Sequence, residues 1–428
     1  MEPLKTRPAN ALSIVLSRPR EETAMQPKAS GAPNRANSVF EENEYYEIRP
    51  IPGKGYGCFA LKDLKRGTRI LSDSPLLFVP VGNYLKADIE ELYNKLSEEE
   101  KKIYFTLASN HGQNPRNWPS KIHPSVEGRE LVRIREQHAA RIAKEPSVIS
   151  IFQTNAMELG KGAAIFPNAA RFNHCCNPNA NFTWNEKIQR ETVHIIHDVL
   201  KGDQITFSYC DMTHEKTLRA WELKHYGFDC DCAACNGDEN DPDSFARKSA
   251  ERRYRIAELD RETCIMRGRN LEQGVRNPDF VQRLLDLAVL HMEIGDYSTR
   301  LANIYVDLAL ACELANDFKH GQEMAANALR IKRDCEGVDS PEYERPKPGE
   351  AIGNLLFRVE TQLKHATITR PWPNARNSPL VVRSRAPRNK DTLSKQAYVK
   401  VPTRAKFAAG QSSACSVRNK RQGGEPLT

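Results

Sequence analysis

Hydrophobic and polar positions change rhythm several times along the chain, and each change marks a segment. From residue 45 to 79 short apolar runs are broken by turn signals at Pro52-Gly53, Gly55, Gly57, Arg66-Gly67 and Ser74-Pro75, which predicts short β-strands. Over 84–144 the apolar spacing lengthens, as in Ile89, Leu92 and Leu96 and later Leu131, Ile134 and Ile142. That spacing predicts a charged helical insert, interrupted by a Pro/Asn-rich loop around 112–119. Short strands are expected again at 147–154, 164–166, 180–184, 191–196 and 204–209, followed by a charged helix at 213–224. From about 244 to 335, helical spacing returns (Leu284, Leu287, Leu290; Ile304, Leu308), with turns at Gly295-Asp296 and Asn316-Asp317, so antiparallel helices are predicted. The roughly 21-residue offset between those turns is shorter than the 34 of a tetratricopeptide array, so a helical domain is expected rather than a counted repeat.

The flanks lack periodicity. Residues 1–43 mix Pro, Ala, Asn, Arg and Ser and are expected to form a disordered arm. Beyond Pro341 proline rises; one more helix is expected over 355–364, and the remainder reads as tail. The layout is thus α+β: a strand-rich domain at 44–211 holding the insert, a cysteine-bearing segment at 212–240, an all-α domain at 241–340 and a tail at 341–428.

Composition sharpens this picture in three ways. No stretch nears the roughly 20 apolar residues of a membrane span, and the run at 11–16 is too short and polar for a signal peptide, so a soluble intracellular protein without membrane contact is expected. The net charge of +8 is uneven: residues 366–428 carry 13 Lys/Arg against Asp391 and Glu425, a balance of +11, which leaves −3 for the rest. Such a tail is either a solvated terminus or a weak contact for nucleic acid or an acidic protein face. Finally, three of eleven cysteines crowd into Cys230-Asp231-Cys232-Ala233-Ala234-Cys235. An odd count without an export signal is no disulfide framework; three thiolates on one knuckle leave a tetrahedral Zn²⁺ one ligand short, so a distant segment must be drawn in as a clasp.

Three further elements carry candidate chemistry. Gly53-Lys54-Gly55-Tyr56-Gly57 has glycine at alternate positions, which keeps one backbone face clear; its spacing and the strand that follows are unlike a dinucleotide-binding turn. Arg171-Phe172-Asn173-His174-Cys175-Cys176-Asn177-Pro178-Asn179 sets hydrogen-bonding groups beside two thiols and a turn. The strand led by Gly202-Asp203 ends at Tyr209, whose phenol can be aimed into a site.

In this order the four elements resemble the SET-domain lysine methyltransferases over roughly residues 44–240, with the glycine motif, the Asn-His-x-Cys-x-Pro-Asn motif, the strand-end tyrosine and a post-SET cysteine cluster. The split domain and trailing helices resemble the SET and MYND family. No cysteine lies between Cys58 and Cys175, which leaves no room for a MYND finger and points to the MYND-less fungal relatives. The resemblance implies a SET β-fold with a helical insert and post-SET zinc knuckle. It implies S-adenosylmethionine held by Lys54, Gly55, Tyr56, Asn155, Asn173, His174 and Phe228, with Tyr209 and Tyr226 bordering the methyl-transfer and lysine channel. It also implies Zn²⁺ on Cys176, Cys230, Cys232 and Cys235, with Cys175 where the family often has serine. The implied activity is transfer of a methyl group to a lysine of a histone or another protein, in the nucleus or cytoplasm. The alternative is a catalytically silent scaffold that binds partners through its helices and basic tail. His194, His197, His214 and His225 fall in no ligand spacing and are expected on ordinary strand or helix surface.

Overall fold

The computed structural model describes residues 43–340 except 119, 120, 239 and 269. The N-terminal arm up to residue 42, the helix expected over 355–364 and the basic tail lie outside the described residues. The chain order is β1 (Tyr46–Ile51), β2 (Gly55–Ala60), β3 (Arg69–Asp73), β4 (Leu77–Val79), α1 (Lys86–Asn94), α2 (Glu98–Phe105), α3 (Gly128–Ile142), α4 (Val148–Asn155), β5 (Ala156–Leu159), β6 (Gly162–Ile165), β7 (Asn173–His174), β8 (Ala180–Asn185), β9 (Arg190–Ile195) and β10 (Gln204–Phe207). Six helices follow: α5 (Lys216–Leu223), α6 (Phe245–Arg267), α7 (Leu271–Val275), α8 (Phe280–Glu293), α9 (Thr299–Leu314) and α10 (Phe318–Glu336). No helix among the described residues is long and apolar enough to cross a membrane.

The strands form three small sheets, ordered β1-β2-β10-β7, β3-β9-β8 and β4-β6-β5. All pairings are antiparallel except β10 with the two-residue β7, where Thr206 lies opposite Asn173 and Phe207 opposite His174. That single parallel pairing is what brings the Asn-His motif to the end of the strand carrying Tyr209. Asn179 pins it: its side-chain carbonyl accepts from Thr206 N at 2.8 Å while its amide donates to Gln204 O at 2.9 Å. Beneath, Phe172 stacks on Phe207 with centroids 4.7 Å apart, and Tyr46 meets Phe172 edge-on at 5.0 Å. Burying such rings removes large apolar areas from water and fixes their geometry together.

One expected strand is a helix. Residues 147–154 hold Val148, Ile149 and Ile151, a β-branched run that reads as strand. The local chemistry favours helix: the Ser147 hydroxyl caps α4 by accepting from Ser150 N at 3.2 Å, and Ser150 closes a reciprocal box. Because Ile149, Ile151, Phe152 and Asn155 are all buried between the insert and sheet β4-β6-β5, tertiary burial overrides the propensity.

The C-terminal helices build their own core around Leu287, Leu301, Leu308 and Ala328, and Ile196 from the strand domain enters it. The junction is polar as well. Arg300 makes two 2.8 Å contacts to Asp211; although burial works the other way, this guanidinium holds the Asp211 carboxyl well below its ordinary range. Gly295, at φ 79°, allows the turn before α9 to press on the Asn-His motif: a Cβ there would meet Asn177 Oδ1 at 1.7 Å. His197 donates to Gly295 O at 2.8 Å, and His194, 1% exposed, contacts Arg69 at 3.1 Å. These two histidines are therefore packed within the fold rather than on ordinary surface.

Candidate functional site

The site is assembled from the β1–β2 hairpin, the β7 strand, the end of β10 and the segment after α5. Gly53 and Gly55 sit at φ 74° and 70°, a left-handed backbone that favours glycine, and a Cβ on either would meet nothing within 4 Å. This hairpin face is open. Gly57 is different: a Cβ there would come within 2.9 Å of Asn173 Nδ2 and 2.6 Å of Gln204 Nε2 and Ile51 Cδ1. Its absence lets Asn173 donate to Tyr56 O at 2.9 Å, so the glycine motif and the Asn-His motif touch across 117 residues of sequence. Gln204 Nε2 is buried there without a hydrogen-bond partner, a donor left over beside Asn173. Lys54 pairs with Asp231 at 2.7 Å, tying the same hairpin to the cysteine knuckle.

Four rings close the other side. Tyr209 lies 4.8 Å from Tyr226, 5.4 Å from His174 and 6.4 Å from Phe228 between centroids, and His174 lies 5.9 Å from Phe228. The Tyr209 hydroxyl donates to Phe172 O. Burial, then neighbouring Tyr226, pushes its phenol well above the ordinary value, so it is neutral near pH 7, its proton is committed and its oxygen lone pairs are left to accept. Burial, then Cys210, likewise pushes Tyr226 up to about 12. His174 Nδ1 accepts from Tyr209 N at 2.9 Å, which leaves Nε2 to carry the proton toward Cys176 Sγ at 3.2 Å. Burial pulls the His174 pKa down to about 4, so the ring is neutral and both nitrogens are occupied.

The sulfur atoms of Cys176, Cys230, Cys232 and Cys235 all lie within 4.8 Å of one another, with Cys176 at 3.9 Å from Cys230 and 3.5 Å from Cys235. Four ligands tetrahedral about Zn²⁺ at about 2.3 Å stand about 3.8 Å apart. The spacing fits that geometry and is far too long for S–S bonds of about 2.05 Å. Hydrogen bonding divides the four thiols: bonds from Cys175 and then Cys176 lower the Cys232 pKa strongly, and one from Cys176 heads those that bring Cys235 to about 6. Bonds to Cys210 and then Cys230 push Cys176 well above the ordinary thiol value; Cys230 is also raised, because although its bond to Cys176 works the other way, those to Cys232 and Cys235 outweigh it.

Residues 55–210, which contain strand β2, the Asn-His motif and Tyr209, match the family model for the SET domain; β1 and Lys54 precede the matched span, and Tyr226, Phe228 and the cysteine knuckle follow it. This chain carries a SET domain. Among curated relatives, it is 27% identical to the histone-lysine N-methyltransferase set5 of Schizosaccharomyces pombe over 311 residues, covering 71% of this chain and 82% of the relative. A putative SET domain-containing protein of Acanthamoeba polyphaga mimivirus is 28% identical over 209 residues, 47% of this chain and 81% of that one. The Xenopus laevis N-lysine methyltransferase SMYD2-B is 34% identical over 82 residues, 19% of each chain, which relates this SET domain to the SET and MYND proteins. The solved structure of Rubisco LSMT bound to AdoMet aligns with 74% of this chain and 87% of its own at 14% identity and a TM-score of 0.30, too loose to add to the assignment.

Of the residues singled out from sequence, Lys54, Gly55, Tyr56, Asn173, His174, Tyr209, Tyr226, Phe228 and the four cysteines converge on this part of the SET domain and its knuckle. Asn155 does not touch them; its amide donates to Ala108 O and Ile151 O, both at 2.7 Å. It fixes the segment carrying Asn110, whose amide in turn holds His225 O and crowds Gly227. Asn110 had no sequence signal, since it sits in a plain polar stretch. Arg219 was missed too: on α5 the buried i, i+4 face is Arg219 and Leu223, while apolar Trp221 points outward at 58% exposure, the reverse of what the residue types alone suggest.

Proposed function

We propose that this chain is an S-adenosylmethionine-dependent protein-lysine N-methyltransferase, with a histone lysine as the first substrate class to test and the nucleus as the matching place of action. The observation that carries this reading is the meeting, at the end of the SET domain and the segment that follows it, of the Tyr56–Asn173 contact with the Tyr209, Tyr226, His174 and Phe228 rings. S-adenosylmethionine bound there supplies an electrophilic methyl group on a cationic sulfur. Lys54, Gly55 and Tyr56 from the open hairpin, Asn173 and His174 from β7, and Phe228 are assigned to holding it, with Asn155 acting through the 108–110 segment.

The chain's own task is to present a neutral amine. A free lysine of pKa about 10.4 is neutral in roughly one molecule per thousand near pH 7.4, so deprotonation costs about 4 kcal/mol. Tyr209 and Tyr226 wall the approach with aromatic surface, which disfavours the ammonium by desolvation. With its own proton held by Phe172 O, the Tyr209 oxygen can accept from the amine and aim its lone pair along the line of attack. No general base is assigned; both nitrogens of His174 are engaged. The proton leaves to solvent before transfer.

Cys176, Cys230, Cys232 and Cys235 are proposed to hold a structural Zn²⁺ that clasps the knuckle to the Asn-His motif; no step of the transfer runs through it. Two tests follow. Acid hydrolysis of core histones labelled by the protein should return the label as methyl-lysine; label recovered only in methyl-arginine or in base-labile esters contradicts the reading. Gly57→Ala should keep the fold, yet displace Asn173 and Gln204 and weaken S-adenosylmethionine binding by about tenfold or more in calorimetry. Unchanged affinity would remove the hairpin from the cofactor site.

A further inference from the structure

Two buried arginines lie against the cysteine cluster. Arg219 on α5 and Arg253 on α6 are each 1% exposed and are the largest fully buried side chains of the described residues. A guanidinium taken out of water costs several kcal/mol unless an opposite charge and hydrogen bonds offset it, and two close together repel as well. Among the described residues no carboxylate pairs with either. Arg219 donates from Nε to Cys176 Sγ at 3.2 Å, from one terminal nitrogen to Cys235 Sγ at 3.4 Å and from the other to His214 O at 2.6 Å. Arg253 donates to Met212 O at 2.7 Å, to Cys176 O at 3.0 Å and to the Ser249 carbonyl and hydroxyl.

The charges then have one neighbour that can balance them. A divalent metal on four thiolates carries a net charge of −2 by formal count. We infer that Arg219 and Arg253 are the counter-ions of a dianionic tetrathiolate centre: Arg219 binds two of its sulfurs directly, and Arg253 adds the second positive charge through the backbone of Cys176. They are positioning residues rather than catalytic ones. Because Arg253 belongs to the helical domain, the same ion pair ties the knuckle to that domain, and the metal becomes a joint of three chain regions rather than two.

The inference rests on the proposed zinc site and goes beyond it to what neutralises the site. The test uses the full chain with two readouts, metal affinity by chelator competition and the sulfur-to-metal charge-transfer band after Co²⁺ replaces Zn²⁺. Wild type should purify with about one equivalent of zinc. A wild type without metal overturns the zinc reading, and this inference with it. If wild type holds zinc, R219Q should lose affinity by about 10- to 100-fold, the range seen when residues that support metal ligands are removed. Its Co²⁺ band should move to lower energy, because the N–H···S bonds that stabilise the sulfur lone pairs are gone; R219K, which keeps the charge, should recover most of the affinity and part of the band shift. R253Q removes charge without touching sulfur, so it should weaken binding while leaving the band nearly in place, and it carries the test should R219Q not fold. Affinity equal to wild type in R253Q, or in R219Q with an unmoved band, overturns the counter-ion role while the zinc site stands.

Discussion

Tyr209→Phe should lower methyl transfer by about 10- to 1,000-fold while leaving S-adenosylmethionine affinity within about threefold of wild type. The change removes one oxygen and almost no volume. The ring keeps its places against Tyr226, His174 and Phe228, so the walls of the channel survive. What disappears is an oriented acceptor whose own hydrogen is fixed on Phe172 O. Each tenfold loss corresponds to about 1.4 kcal/mol of transition-state stabilisation, so the expected range asks about 1.4–4 kcal/mol of one positioned oxygen. Single-turnover transfer, measured beside calorimetric binding, separates the two quantities. Wild-type turnover in the mutant would remove Tyr209 from the transfer step. A parallel loss of binding and turnover would mean that it acts by supporting the cofactor pocket.

Cys232→Ser should have the second large effect, at a distance from the rings. A serine oxygen is a poor replacement for a thiolate on zinc, and the remaining three sulfurs stay crowded without the ion that justifies their approach. Zinc content should fall below about half an equivalent. The segment that follows Tyr226 is anchored at one end by this knuckle, and Phe228 lies two residues before Cys230, so the loss should reach the ring cluster. The Lys54–Asp231 pair, which joins the hairpin to the knuckle, should loosen as well. S-adenosylmethionine affinity is therefore expected to drop by about tenfold or more, in the range that follows loss of support around a metal site. Elemental analysis and calorimetry on the same preparation test this. A mutant that lacks zinc and binds the cofactor as wild type does would uncouple the clasp from the site.

Local chemistry was legible in the sequence where it is carried by neighbours in the chain. Gly53, Gly55 and Gly57 announce a hairpin with one clear face; Cys230, Cys232 and Cys235 announce a knuckle; Leu284, Leu287 and Leu308 announce helices, and the structure has each. Short β-branched runs misled, as at Val148–Ile149, because period and propensity cannot distinguish a buried helix of eight residues from a strand. β7 and β5 were too short to announce themselves, although β7 sets the register that brings His174 to Tyr209. The resemblance supplied Cys176 as the fourth sulfur, which spacing alone left open. Residues that act across the chain gave no signal. Asn110 reaches His225, and Arg253 reaches Cys176 from 77 positions away. Arg219 looked like a surface charge because the sequence shows its type but not that Trp221, two positions on, takes the outward face.

The most direct test of the account is transfer of a labelled methyl group from S-adenosylmethionine to purified core histones and to whole-cell extract, with the full-length protein and its Tyr209→Phe variant side by side. The account predicts label on lysine in at least one protein band with wild type, reduced by at least about tenfold with the variant. A wild type that binds S-adenosylmethionine and carries zinc but labels nothing in either pool contradicts it, and would leave the SET domain as a scaffold.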